Sequence, residues 1–145
     1  MLFTFTLSTV TLALASLISA SVVKRQNCPE AARFGVVHVS PITVSAGDII
    51  NVDVDLRCAV QLGVVAQSID YTINVPVDNN GFEFPILIGR HAIQPGALFD
   101  NLTTTIPHAN FFAGANYVIE VTNVHPSNDA FITEGSVDTG ITINV

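Results

Sequence analysis

The sequence predicts an all-β protein, an antiparallel two-sheet β-sandwich of about seven or eight strands. From Phe34 onward, apolar and polar side chains alternate with a period of two residues, which is the pattern of strands with one buried face. Turn-forming residues separate these stretches at intervals of about 10 residues. Helical turns are predicted only at 29–32 and 108–113. Because two half-buried sheets must cover each other's apolar faces, we expect a sandwich, with a closed barrel as the alternative.

The segment 48–58 carries the clearest strand signal. Its even-numbered residues from 50 onward are apolar and its odd-numbered residues from 51 onward are polar. A strand of this kind buries the first set and exposes the second. Asp53 and Asp55 are therefore expected to point from the same exposed face, about 7 Å apart, with Arg57 next along.

The segment 68–77 shows the opposite parity, with odd-numbered residues such as Tyr71 directed inward. Pro76 marks its end or an edge position. The run 78–81, Asp-Asn-Asn-Gly, has the turn chemistry of a tight hairpin and predicts that 68–77 pairs with the next strand. The remaining strands are predicted at 34–40, 82–93, 97–106, 115–124 and 140–145.

Two stretches resemble parts of immunoglobulin-like and fibronectin-like modules. They are 41–48, which precedes the long strand, and 114–121, which looks like the penultimate strand. In such modules a tyrosine at this place, here Tyr117, hydrogen-bonds back across a corner. The chain has no tryptophan and no cysteine in that strand, so the likeness is to the immunoglobulin-like sandwich in a loose sense.

The first 25 residues are predicted to be removed. Residues 1–20 carry no charged side chain and end in small residues, which predicts a secretory signal peptide cleaved after Ala20. A transmembrane anchor is the alternative, disfavoured by seven Ser and Thr residues in the stretch. Lys24 and Arg25 form a dibasic site that would end a short propeptide, 21–25; a pair of solvated charges is the alternative. The prediction is a secreted, extracellular single domain, 26–145, with no membrane span in its mature form.

The two cysteines, Cys28 and Cys58, lie 30 positions apart. In an exported domain they are expected to form a disulfide. Closing a loop of that size stabilises the fold by about 3 to 4 kcal/mol. A buried free thiol and a zinc site are the alternatives, and zinc has little support without a neighbouring Cys or His.

The charge balance excludes one class of partner. Asp and Glu number 12 against 5 Lys and Arg, giving a formal charge of −7, and 49% of residues are hydrophobic. Such a chain folds around a core but offers nothing to neutralise a phosphate backbone, so nucleic acid is not expected as a partner. An extracellular protein or a polysaccharide is expected instead.

No arrangement of residues predicts catalysis. The four histidines, His38, His91, His108 and His125, lack the spacing of metal ligands, so neither metal nor cofactor is expected. Asp53 and Asp55, joined by Asp70 from another strand, would suit a glycosidase pair, but alternating acids on an exposed strand more often serve solubility. The sequence therefore predicts no enzyme.

Phe111 and Phe112 form the one aromatic pair placed in a loop. They are expected to plug one end of the core, or else to form an exposed contact patch.

Asn101 begins the sole N-glycosylation sequon, Asn-Leu-Thr, within a strand-like segment. It is expected to face solvent, with Leu98, Leu102 and Ile106 facing inward.

The segments 24–35, 40–44 and 106–117 resemble the small secreted proteins of filamentous fungi, basidiomycetes especially, that join a signal, a Lys-Arg propeptide and one β-rich domain. The resemblance implies compartment and fold and transfers no active site. The predicted function is a secreted non-enzymatic interaction or structural protein at a cell surface, wall or host interface. A glycan-binding module and a small hydrolase using the acidic strand face are the alternatives.

Overall fold

The computed structural model describes residues 27–79, 83–127 and 131–145. Within these residues a 3-10 turn spans Glu30–Ala32 and one short helix, α1, spans Arg57–Gln61. Nine strands lie in the described parts of the chain: β1 (Val36–Ser40), β2 (Thr43–Ser45), β3 (Ile49–Asp55), β4 (Ser68–Asn74), β5 (Ile86–Ala92), β6 (Phe99–Thr105), β7 (Val118–Pro126), β8 (Ile132–Gly140) and β9 (Thr142–Asn144).

Two antiparallel sheets make up most of the fold. One has the strand order β1-β3-β6 and the other the order β5-β4-β7-β8, while β2 and β9 form a separate parallel pair. The predicted all-β class is confirmed. β4 and β5 are antiparallel neighbours, as the hairpin prediction requires, although the strands end well before the turn.

One hydrophobic core lies between the two sheets. It takes Ile50, Val52 and Val54 from β3 and Ile69 and Tyr71 from β4, all of them at most 1% exposed. The opposite parities of the two segments are therefore both confirmed, because each strand turns its apolar set toward the same core.

The two sheets approach each other along both of their edges, where β1 contacts β8 and β5 contacts β6. We call the contact between β5 and β6 the seam. Gly89 of β5 faces Leu102 of β6, and a Cβ atom at Gly89 would lie 2.7 Å from Leu102 Cδ2. Any larger residue at this position would have to displace the Leu102 side chain, so the close approach of the strands favours glycine.

The predicted strand 48–58 ends early. It stops at Asp55, and helix α1 follows with Cys58 and Ala59 buried. The apolar residues Leu56 and Cys58 are compatible with a continued strand or with a helix, because either element would bury them. Gly63, at a φ of 83°, stops the helix.

Strand β8 is not among the predicted strands, because Gly135, near its middle, is a residue type typical of turns. Gly135 lies in the middle of β8, where the Phe34 ring covers it, and a Cβ there would be 2.1 Å from a Phe34 ring carbon. The glycine thus serves close packing rather than a turn. The predicted helical turn at 108–113 is also absent, whereas the one at 29–32 is present as the 3-10 turn.

Cys28 and Cys58 are joined in a disulfide with their Cα atoms 5.3 Å apart. The bond attaches the first described residues to helix α1. No helix in the described ranges is long and apolar enough to cross a membrane.

Candidate ligand-binding groove

A groove of about 410 Å³ opens at one end of the sandwich, between the segment that follows β4 and the segment that precedes β7. We call it the end groove. Its apolar lining comes from Val75, Val77, Phe112 and Ala115, and its polar lining from Asp78, Asn79, Glu83 and Asn116. Pockets of this size with a mainly apolar wall and a few convergent polar groups are typical ligand sites.

The Asn79 side chain holds the first wall in place. Its Nδ2 donates to the Glu83 carbonyl oxygen at 2.6 Å, and its Oδ1 accepts from the Glu83 amide at 2.7 Å. Asp78 adopts a φ of 58°, a left-handed conformation that aspartate tolerates better than most residues. Together these contacts fix the position from which the Glu83 side chain extends.

Tyr117 builds the second wall. Its hydroxyl accepts a hydrogen bond from the Phe112 amide at 2.9 Å and donates one to the Glu83 carboxylate. The bond to Phe112, five residues upstream, has the form of the tyrosine corner that the sequence predicted. Tyr117 is only 2% exposed, so its ring anchors the loop to the core.

The two loop phenylalanines have different environments. Phe111 packs against the core, with its ring edge-on to Tyr117 at a centroid distance of 5.4 Å. Phe112 is 54% exposed and lines the end groove. Phe111 therefore has the position expected of a core plug, whereas Phe112 has only the exposure that a contact patch would need.

Negative charge dominates the end groove. Asp78 and Glu83 contribute carboxylates, and no cationic side chain is present among the described lining residues. Burial, reinforced by the hydrogen bond to Glu83, raises the pKa of Tyr117 above its usual value. The hydroxyl therefore stays protonated at neutral pH and keeps donating to Glu83.

A second tyrosine–carboxylate pair lies at the seam. The buried Tyr71 hydroxyl donates to Asp100 Oδ2 at 2.5 Å, and His91 Nδ1 lies 2.8 Å from the same oxygen. We call these three residues the seam cluster. Burial, followed by the hydrogen bond to Asp100, raises the pKa of Tyr71.

Sequence reasoning missed the seam cluster. Asp100 lies two residues before Leu102, so both side chains are expected on the inward face of the strand. A carboxylate that points inward needs hydrogen-bond partners, and this could have indicated the cluster. Leu98, by contrast, was predicted inward but is 44% exposed, while Leu102 and Ile106 are buried as predicted.

The acidic residues singled out from the sequence lie on different sheets. Asp53 and Asp55 share the outer face of β3, as predicted, whereas Asp70 lies on β4 and pairs with Arg90. The prediction that Asp70 joins them is wrong, because its strand belongs to the other sheet.

Both carboxylates of β3 already have partners. Asp53 accepts a hydrogen bond from Asn101 Nδ2 at 2.6 Å, and Asp55 binds the Arg57 guanidinium. The hydrogen bond from Arg57 lowers the pKa of Asp55. These residues border an open depression of about 530 Å³ on the outer face of the β1-β3-β6 sheet.

Within the described residues, no group of three or more His, Cys, Asp or Glu side chains could hold a metal ion. His38 is exposed on β1, His91 lies in the seam cluster, His108 approaches Gly47, and the ring of His125 lies 5.9 Å from that of Phe34. The predicted processing residues, Ala20, Lys24 and Arg25, lie outside the described residues.

Comparison with known proteins finds a similar fold among solved structures. No family model and no curated protein matches the chain. The superoxide reductase (neelaredoxin) from Ignicoccus hospitalis is similar at 15% identity and a TM-score of 0.46, over 76% of this chain and 80% of that one. A variant of the same enzyme aligns at a TM-score of 0.44 over 78% and 83% of the two chains.

This comparison contradicts the function predicted from the sequence. A non-enzymatic interaction or structural protein was expected, whereas the solved structures of similar fold are enzymes by their names. That prediction, with its glycan-binding and hydrolase alternatives, is withdrawn. At 15% identity the likeness concerns the fold and assigns no role to any residue of this chain.

Proposed function

We propose that the end groove binds a small organic cation with an apolar body, of the chemical class of the arylalkylamines. The observation that carries this proposal is the composition of the groove: an apolar wall with an exposed aromatic ring, two carboxylates, and no cationic side chain among its described lining residues.

The apolar wall supplies the first part of the affinity. Val77 is 59% exposed and Phe112 54% exposed, so a ligand that covers them removes apolar surface from water. Each Å² of such surface contributes about 25 cal/mol. The ring of an arylalkylamine fits this wall and lies against Phe112.

The carboxylates select the charge of the ligand. A protonated amine is attracted by Glu83 and Asp78 and can also lie over the Phe112 ring, where a cation–π contact contributes about 0.5 to 1 kcal/mol at an exposed site. An anion of the same shape meets two like charges. Tyr117 and Asn79 hold Glu83 in place before binding, which reduces the entropy lost on association.

Titration calorimetry with phenethylamine tests the proposal. We expect saturable binding with a Kd of roughly 0.1 to 1 mM, the range for a ligand of this size. The anion 3-phenylpropanoate has a similar body with the opposite charge and should not bind measurably. Ethylamine, which lacks the ring, should bind at least tenfold more weakly.

Two groove variants and two matched controls complete the experiment. Phe112→Ala and Glu83→Gln should each weaken phenethylamine binding about tenfold. Phe99→Ala removes an equally exposed phenylalanine elsewhere, and Glu134→Gln removes an exposed carboxylate on β8; both should leave the Kd unchanged. Equal binding of amine and carboxylate, or equal losses in groove and control variants, would contradict the proposal.

We also propose that binding takes place outside the cell, after removal of 1–25. Support comes from the signal-like segment 1–20 and the pair Lys24–Arg25. Peptide mass spectrometry of protein secreted by a fungal host should find a mature chain that begins at Gln26, with this residue as glutamine or pyroglutamate. Retention inside the cell, or a secreted chain that keeps residues 1–20, would contradict this part of the proposal.

A further inference from the structure

A column of exposed side chains on the outer face of β6 includes both ends of the glycosylation sequon. Phe99, Asn101 and Thr103 alternate with inward-facing residues, and all three are exposed. In the register of the sheet they lie opposite Asp55, Asp53 and Asn51 of β3. The column therefore presents an aromatic ring, an amide and a hydroxyl in a row, about 7 Å apart.

The same column contains a complete acceptor sequence for N-linked glycosylation. Asn101 and Thr103 are its first and third residues, and the middle residue, Leu102, is buried and is not proline. Since the middle residue points into the core, the asparagine and the threonine both face solvent. Nothing in the described structure covers the Asn101 side chain on that side.

We propose that Asn101 carries an N-linked glycan whose first sugar lies on the ring of Phe99. The two residues are neighbours on one strand face, and Phe99 is 60% exposed. The Arg57 guanidinium lies over one face of the ring, 5.0 Å from its centroid, so the aromatic side chain is held at its position. The apolar C–H face of a pyranose then covers the part of the ring that stays open to solvent.

The amide of Asn101 can keep its present hydrogen bond after modification. Its Nδ2 now donates to Asp53 Oδ1 at 2.6 Å. In the transfer, a bond forms between Nδ2 and the anomeric carbon of the sugar, and the bond from that carbon to the phosphate oxygen of a lipid-linked pyrophosphate donor breaks. The amide loses one proton, the lipid pyrophosphate leaves, and one N–H remains on Nδ2 to donate to Asp53.

The surroundings favour a tethered sugar as the occupant. Apart from Phe99 and the arginine over it, the side chains nearest Asn101 are polar: His38 and Asp53 share its row across the sheet. A sugar needs an apolar face and polar edges together. Attachment at Asn101 also gives it a high effective concentration at Phe99, so a weak stacking contact suffices.

Secretion of the full chain from a yeast host tests the proposal, which is independent of the end groove. Mass spectrometry of the secreted protein should find a glycan at Asn101, absent from Asn101→Gln. An endoglycosidase then trims the glycan to a single sugar. Matched protein of the same sequence without a glycan is obtained from cells treated with an inhibitor of lipid-linked oligosaccharide synthesis.

The attached sugar should raise the Tm of the wild-type chain by about 2 to 4 °C and leave the Tm of Phe99→Ala unchanged. Leu87, an equally exposed apolar residue on β5, gives the control: in Leu87→Ala the sugar should raise the Tm as in the wild type. NMR of the trimmed protein should show protons of the first sugar shifted upfield by the Phe99 ring. An unmodified Asn101, a Tm gain that survives Phe99→Ala, or sugar protons without the ring shift would each overturn the proposal.

Discussion

Two tyrosine–carboxylate pairs in this protein make the same hydrogen bond but have different roles. Tyr71 donates to Asp100 at the seam, and Tyr117 donates to Glu83 at the end groove. Both hydroxyls have a raised pKa, with burial as the larger cause and the carboxylate as the second. The difference lies in what surrounds each carboxylate.

At the seam, Asp100 is shared between Tyr71 of β4 and His91 of β5 and comes itself from the opposite sheet. Its hydrogen bonds therefore connect the two sheets. At the end groove, Glu83 accepts a hydrogen bond from Tyr117 and lines a cavity with a mainly apolar wall. We conclude that the first pair stabilises the sandwich and that the second positions a carboxylate for a ligand.

The largest expected difference is in stability. Asp100→Ala leaves the fully buried Tyr71 hydroxyl without its acceptor and should lower the free energy of unfolding by about 3 kcal/mol. Glu83→Ala should cost about 1 kcal/mol, because Glu83 lines an open groove, where water can replace its carboxylate as the acceptor. Urea denaturation of both variants measures the two losses. Equal losses would contradict the division of roles.

Glycines at the two regions give the next comparison. Gly89→Ala places a methyl group against Leu102 at the seam and should cost about 2 kcal/mol through overpacking. Gly114→Ala at the end groove meets no atom within 4 Å, but its φ of 77° strains any other residue, at a cost of about 1 kcal/mol. If the seam were loosely packed, Gly89→Ala would lower the free energy of unfolding less than Gly114→Ala does.

Alkaline titration separates the two tyrosines directly, because the chain has 2 Tyr and no Trp. A raised folded-state pKa stabilises the fold fully below the ordinary tyrosine pKa of about 10, and this stabilisation is lost as the pH rises through the folded-state pKa. Absorbance at 295 nm should therefore show less phenolate at pH 10 than two free tyrosines would give. In Glu83→Gln one tyrosine should titrate earlier while the other is unchanged; early titration of both would contradict the account.

The smallest effect is expected at Asp55, which neither pair touches. Arg57 lowers the pKa of Asp55, so this interaction stabilises the fold above the ordinary aspartate pKa and is lost as the pH falls through the lowered value. Arg57→Ala should lower the free energy of unfolding at pH 7 by less than about 1 kcal/mol, since Arg57 is exposed and Asp55 is partly exposed. The loss should shrink as the pH falls below the ordinary aspartate pKa, and a loss that does not change with pH would point to packing of Arg57 on Phe99 instead.

The two regions also differ in how far the sequence predicted them. Alternation in β3 and β4 identified the inward face of each strand, including Tyr71 and the outward Asp53 and Asp55. Local patterns of this kind depend on one strand and its burial. The resemblance of 114–121 to immunoglobulin-like modules indicated the tyrosine corner at Tyr117, a contact that joins residues five apart.

What the sequence did not predict depends on contacts between distant elements. Asp100 and Tyr71 are 29 residues apart, and no periodicity indicates which carboxylate meets which hydroxyl. Gly135 is of a residue type typical of turns, and the sequence does not reveal that the Phe34 ring packs on it. Phe111 and Phe112 could not be divided into core and surface without the position of Tyr117.

The central claim is that the end groove, and not the seam, is the binding region. An NMR titration of the isotope-labelled protein with phenethylamine tests it most directly. We expect saturable shifts at Val77, Phe112 and Ala115 and unchanged signals from Tyr71 and His91. Shifts centred on the seam cluster, or no saturable shifts at the groove at millimolar amine, would contradict the account.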